Sequence, residues 1–215
     1  MRRYVAVRGT GDLSGQVSDT AWQHANVAEV DTYPWYESGL KQATHARVLY
    51  NDRSLYLQFQ CEDIHISADV RELNGPVCRD SCVEFFAMPG PDVGGFFNFE
   101  ANCCGMFHLG FGPDRYHRRL VSEDLAGRIR IVTSIPGDTK SDDSGDRSWW
   151  LSAEIPHSML SEFIGCDINP IAGDEWRVNF YRCGGTDGQY ACWNNIDTPK
   201  PDFHTPECFG SMTFA

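Results

Sequence analysis

Ala43-Thr44-His45-Ala46-Arg47-Val48-Leu49-Tyr50-Asn51-Asp52-Arg53-Ser54-Leu55-Tyr56-Leu57-Gln58-Phe59-Gln60-Cys61 is the stretch whose reading decides the fold. Two runs carrying aromatic and β-branched residues, 43–50 and 55–61, flank Asn51-Asp52-Arg53-Ser54, a hairpin turn by its composition. Successive side chains on a strand point to opposite faces. Val48, Tyr50, Leu55, Leu57 and Phe59 therefore share one face, and Tyr56, Gln58 and Gln60 share the other. One apolar and one mixed face is the pattern of an antiparallel sheet laid over a core.

The same signature recurs outward from this hairpin. Runs over 82–88, 95–102, 106–111, 128–134, 148–155, 175–183, 189–193 and 209–214 bring the total to roughly ten strands at sandwich spacing. Helical periodicity is confined to 156–164, where Pro156 suits a first turn and Gly165 a stop. Two stretches, 136–147 and 198–206, are loop by composition, but strand patterning resumes after each, so neither divides the chain. The expected fold is all-β: one domain over 1–215, a two-sheet antiparallel β-sandwich with immunoglobulin-like or jelly-roll-like layers and one short connecting helix.

Composition narrows the function classes. With 18 basic against 30 acidic residues the chain carries a formal charge of −12, which repels a phosphate backbone and an anionic membrane surface. Neither nucleic acid nor membrane is an expected partner. Aromatic residues make up 13 % of the chain, including six Trp and eight Tyr, a surplus that suits recognition of a neutral ligand. The cysteine count is nine, odd for a disulfide framework, and no apolar leader follows Arg2-Arg3, so a soluble, reducing compartment such as the cytoplasm is favoured.

The polar chemistry concentrates on three runs. In Phe97-Asn98-Phe99-Glu100-Ala101-Asn102 the period of two puts Asn98, Glu100 and Asn102 on one face, and amide and carboxylate groups on a rigid strand complement a fan of hydroxyls. Asp80-Ser81-Cys82-Val83-Glu84 embeds Glu84 among apolar neighbours, where it wants either an arginine, Arg79 or Arg182, or ligand hydroxyls. Trp193 precedes the Pro-rich loop and offers a ring face to a sugar, with burial as the alternative.

These runs, together with Trp22, Asp174-Glu175-Trp176-Arg177-Val178-Asn179-Phe180 and Pro206-Glu207-Cys208-Phe209-Gly210, resemble in order and spacing the family 9 carbohydrate-binding modules, in particular free-standing family-9-like proteins. The resemblance implies a sandwich that binds a mono- or oligosaccharide without catalysis: plant-type fragments or chain ends such as those of xylan or cellulose, in support of polysaccharide catabolism. It also implies a sugar clamped between two tryptophans over polar side chains. By position Glu84 matches an acidic sugar contact and Trp193 the second clamp, while Asn98 and Glu100 stand where the family has Arg and Asn. Where the first clamp Trp would follow a Pro, Val77 follows Pro76, so Trp35 is the candidate for the missing face. Asn102 and Arg182 complete the expected site. No cofactor is required. The family's structural Ca²⁺ would draw on Asp63, Asp69 and the acidic 138–146 loop, a stretch with no EF-hand pattern.

Two other classes stand beside this reading. Glu84 and Glu100 on neighbouring strands could serve a glycoside hydrolase, at a separation that would set its stereochemistry. A haem-binding sandwich would use Met88, Met106 or His108, although no Cys-x-x-Cys-His attachment run is present. Zinc spacing is poor for Cys103-Cys104 with His108 and for His204 with Cys208.

Overall fold

The computed structural model describes residues 1–135, 137, 147–184 and 190–215. Its strands are β1 (Arg3–Arg8), β2 (Ala28–Glu29), β3 (Thr44–Tyr50), β4 (Ser54–Glu62), β5 (Cys82–Met88), β6 (Phe96–Asn102), β7 (Phe107–Gly112), β8 (Arg119–Leu120), β9 (Arg130–Thr133), β10 (Ser148–Pro156), β11 (Glu175–Cys183), β12 (Ala191–Cys192) and β13 (Gly210–Phe214). The opening hairpin forms as its composition requires: Asn51 Oδ1 accepts from the backbone N–H of Arg53 at 2.8 Å and of Ser54 at 3.0 Å.

Across the sheet the strands run β8-β7-β6-β5-β11-β13-β1-β3-β4-β10-β9, with β12 beside β11 and β2 beside β3. Every pairing is antiparallel except at β1. Residues 3–6 run parallel to 211–214, and residues 7–8 run parallel to 49–50. This strand therefore joins two halves into one curled, mixed sheet, which corrects the wholly antiparallel expectation. Its partners lie so far along the chain that no local turn announces it, and parallel pairing always needs such a crossover.

The halves pack face to face. Phe180 of β11 is the hub, with ring centroids 5.2 Å from Phe85, 5.7 Å from Tyr4 and 6.4 Å from Phe59 across the core. Val48, Tyr50, Leu55, Leu57 and Phe59 all join this core, as their alternation requires. The opposite face of the hairpin is covered too: Tyr56 packs with Trp22 and Leu49, and Gln58 is buried.

Helix α2 spans His157–Ile164 and stops at Gly165, whose φ of 81° is the left-handed cap that glycine accepts without strain. The expected single helix is corrected to two, because Ser122 caps a one-turn α1 over Glu123–Ala126 by accepting from Leu125 N–H. Among the described residues no helix is long and apolar enough to cross a membrane.

His157, at the start of α2, is 3 % exposed, and neither ring nitrogen finds a hydrogen-bond partner among the described residues. Burial pushes its pKa down to about 4, against a small opposing pull from Asp52. A histidine depressed in the fold contributes stability that is present above the ordinary value near 6.5 and lost as pH falls toward the folded value. We expect His157→Leu to remove about 1.4 kcal/mol of stability loss per pH unit in that window, read from urea titrations between pH 7 and pH 4. An unchanged slope would show that the ring is protonated in the fold.

Candidate functional site

The period of two that builds the core also builds the site on the far face of β5, β6 and β11. Phe97, Phe99 and Ala101 point into the core, and Asn98, Glu100 and Asn102 point away from it. A second apolar layer, which includes Val77, Phe86, Phe96, Tyr181 and Phe203, covers most of that outer face. Phe203, in the Pro-rich segment, stacks on Tyr181 with ring centroids 4.1 Å apart and planes within 8°. Where this layer ends, a cavity of about 460 Å³ opens, with Glu84 and Glu100 in its wall.

Glu84 and Glu100 face each other directly across β5 and β6. Neither has a paired arginine beside it: Glu84 accepts a hydrogen bond from the Cys183 thiol at 2.8 Å, and Glu100 accepts from Asn98 Nδ2 at 2.6 Å. Burial pushes the Glu84 carboxyl well above the ordinary range, and the Glu100 charge adds to the shift. Burial raises Glu100 as well, opposed by His108, Asn98 and the arginines 118 and 115.

The remaining walls come from loops. Arg79 and Arg115 contribute cations, Asp202 lies 3.3 Å from Arg115, and Tyr190 and Phe203 supply ring surface. His204 is neutral, its pKa pushed down to about 3 by burial and then by Arg115 and Arg118. A second groove of about 690 Å³ adjoins the first and shares Tyr190 and Pro201 with it; Trp35 lines this groove. The Trp35 indole donates to Thr198 O at 2.7 Å, and its ring meets Tyr190 edge-on at 6.5 Å.

Four of the residues expected in the site stand elsewhere. Asn98 lies behind Glu100, held by the Arg118 guanidinium on its Oδ1, so it orients the carboxylate rather than lining the cavity. Asn102 is saturated: it donates to Val70 O and Asp80 Oδ2 and accepts from the N–H groups of Cys104 and Met106. Arg182 and Trp193 face the core side. Arg182 pairs with Asp63 at 2.5 Å and lies over the Trp149 ring, so it does not pair with Glu84. Trp193 is 4 % exposed, packed edge-on to Phe180 and Tyr4, and offers no ligand a face. Alternation explains the misplacement of Arg182, since Tyr181 and Cys183 on either side of it point to the outer layer.

Among the described residues, the expected haem ligands do not gather, nor do Asp63 and Asp69. Burial alone would raise the Asp63 carboxyl, but Arg182, Ser81, the His65 N–H and the Trp149 indole hold it low, and these partners occupy it. Asp69 is exposed, and no three carboxylates cluster among the described residues; the 138–146 loop lies outside them. Met88 ends β5, whereas Met106 sits beside Asn102, opposite the start of that strand, about 20 Å away. His108 bonds Asn74 O through Nδ1.

Arg115, Tyr190 and Asp202 were not singled out in the sequence, while Arg79 entered only as a partner for Glu84 and His204 only as a poorly spaced zinc ligand. The segments of Arg79, Arg115, Asp202 and His204 carry no strand periodicity, and Tyr190, within the 189–193 run, was signalled only by the aromatic surplus.

Comparison with known proteins places the architecture. The profile of Carbohydrate-binding family 9 matches residues 17–214. A structure from Bacteroides uniformis ATCC 8492, a protein to which carbohydrate binding has been ascribed, is similar over 100 % of this chain and 98 % of its own, at 26 % identity and a TM-score of 0.86. Family 9 modules from Caldicellulosiruptor kristjanssonii share the fold. The glucose complex matches at 13 % identity and a TM-score of 0.65, covering 100 % of this chain and 96 % of that one. The cellotriose complex matches at 14 % and 0.64, covering 99 % and 93 %. No curated protein matches the sequence.

Trp193→Ala and Arg182→Met should both act on stability. We expect losses of about 3–5 kcal/mol for each, the first from a core cavity and the second from leaving Asp63 buried without its cation. Denaturant titration measures both. A loss below about 1 kcal/mol for Trp193→Ala would mean that its ring is not part of the core.

Proposed function

Because the chain belongs to carbohydrate-binding family 9, a non-catalytic family, we propose that the cavity beside Glu84 and Glu100 is its carbohydrate-binding site. One observation carries this reading: two carboxyl groups without an ion-pair partner among the described residues meet across neighbouring strands beside a cavity whose lining includes Tyr190 and whose adjoining groove is lined by Trp35. The carboxyl groups can accept and, where protonated, donate to sugar hydroxyls. Arg79 and Arg115, which line the same cavity, can donate to the same ligand. Tyr190 and Phe203 offer apolar ring surface to the C–H face of a sugar, and the adjoining groove gives a second residue of an oligosaccharide somewhere to lie.

The arrangement replaces the family's pair of clamping tryptophans. Val77 is buried in the outer apolar layer and Trp193 in the core, so neither position supplies a clamp. The aromatic faces come instead from the loops carrying Trp35 and Tyr190. The solved modules that share the fold bind glucose and cellotriose. Short β-linked glucose and xylose oligomers, the soluble products of plant polysaccharide breakdown, are accordingly the ligands we propose to try first.

Calorimetric titration with glucose, cello-oligosaccharides, xylo-oligosaccharides and their alditols tests the reading. Tyr190→Ala should weaken binding by about 2–10-fold, the worth of one aromatic contact. Glu100→Gln should weaken it by roughly 10-fold or more, the worth of a charge-assisted acceptor. No binding to any glycan in a broad panel, or wild-type affinity in both variants, would remove the cavity as the site.

A further inference from the structure

We propose that Cys82, Glu84 and Cys183 hold a zinc ion in the wall of this cavity, with Cys78 approaching as the fourth ligand. Cys82 and Cys183 are directly opposite across β5 and β11, and Glu84 follows Cys82 by two residues on the same face. The Sγ atoms and a Glu84 oxygen all lie within 4.8 Å of one another, and all three residues are buried. Among the described residues no other three His, Cys, Asp or Glu donors gather this closely. Zinc bonds of about 2.0–2.3 Å place tetrahedral ligands roughly 3.3–3.8 Å apart. Cys183 Sγ and the Glu84 oxygen, 2.8 Å apart in their hydrogen bond, separate to this spacing when the thiol proton is replaced by the metal.

Cys78 belongs to a short 3-10 turn, Val77–Arg79, and lines the same cavity as Glu84 and Cys183. The turn lies hard against the chain leaving β11. A Cβ on Gly184 would come within 2.8 Å of Cys78 O and far closer to Asp80 O, so only glycine, here at φ 79°, lets the two segments meet. The Cys78-x-x-x-Cys82 spacing is one that zinc sites use. Paired thiolates select a soft or borderline cation over calcium or magnesium. With Cys78 engaged, three thiolates and one carboxylate carry four negative charges; zinc offsets two, and Arg79 and Arg115 stand in the same cavity. On binding, the thiol protons leave to solvent. The metal would occupy Glu84 and leave Glu100 as the free acceptor of the pair. The inference does not require a sugar in the cavity.

The test uses the reduced full-length protein, handled without oxygen and titrated with Co²⁺ alone and with Zn²⁺ alone. We expect thiolate-to-cobalt absorption and the visible bands of a tetrahedral site, displaced by one equivalent of Zn²⁺. Cys82→Ser and Cys183→Ser should abolish the thiolate absorption, Cys78→Ser should weaken it, and Cys166→Ser should leave it unchanged. Because buried variants can misfold, circular dichroism accompanies each. Alkylation of the exposed Cys78 in the wild type gives an independent reading, and Zn²⁺ should slow it. No thiolate band in the reduced wild type, bands that survive both Cys82→Ser and Cys183→Ser, or alkylation of Cys78 unaffected by Zn²⁺ would overturn the proposal. So would peptide mapping that finds Cys82 and Cys183 joined as a disulfide in the protein as isolated, before reductant is added. None of these readouts involves a glycan, so their failure is separate from failure of the carbohydrate reading.

Discussion

The register of β5 against β6 sets Glu84 opposite Glu100 and Phe85 opposite Phe99, and both consequences follow from the one alignment. A slip of a single residue would turn every side chain of β6 over, sending the phenylalanines outward and the carboxylate into the core. The aromatic packing around Phe85, Phe97 and Phe180 therefore forbids any register but this one. The position of the polar groups on the outer face is not an independent choice. It is inherited from the core.

That outer face explains how a sheet can hold so many buried polar groups. Asn98, Glu100, Asn102 and Glu84 are all nearly inaccessible, yet each is met by a specific partner. Asn179 does similar work between β12 and β13, donating to Asn194 O and accepting from the N–H groups of Phe180 and Asn194. Buried polar groups of this kind specify geometry once they are satisfied and are costly when they are not. The carboxyl groups of Glu84 and Glu100 are the least well met, and a site that binds something is where such incompleteness is expected.

Much of the fold was legible. The limits of β5 and β11, the Asn51 turn and the stop of α2 at Gly165 all follow from local patterning, because each is decided by residues within a few positions of itself. Strand β1 was not legible, since its partners, β3 at residues 49–50 and β13 at residues 211–214, are joined to it by no local turn. The candidate site divides the same way. Glu84 and Glu100 could be placed together because strand periodicity carries them. Trp193 and Arg182 were misassigned because residue type suggests a role without saying which side of a sheet it serves. Trp35 and Tyr190 meet only through the folding of two loops, and the closeness of Cys82 to Cys183 exists only in the β5–β11 pairing.

The double role of β1 bears on how the molecule is made. Tyr4 and Thr213 bond to each other from positions 209 residues apart, and the backbone N–H of Ala215 donates to Ala6 O. β1 can pair with β3 as soon as both are made, but its ladder to β13 cannot form until residues 211–214 are synthesised, and Tyr4 waits for Phe180. Closure of the sheet is therefore a late event that waits for the synthesis of β13, whatever has folded before it.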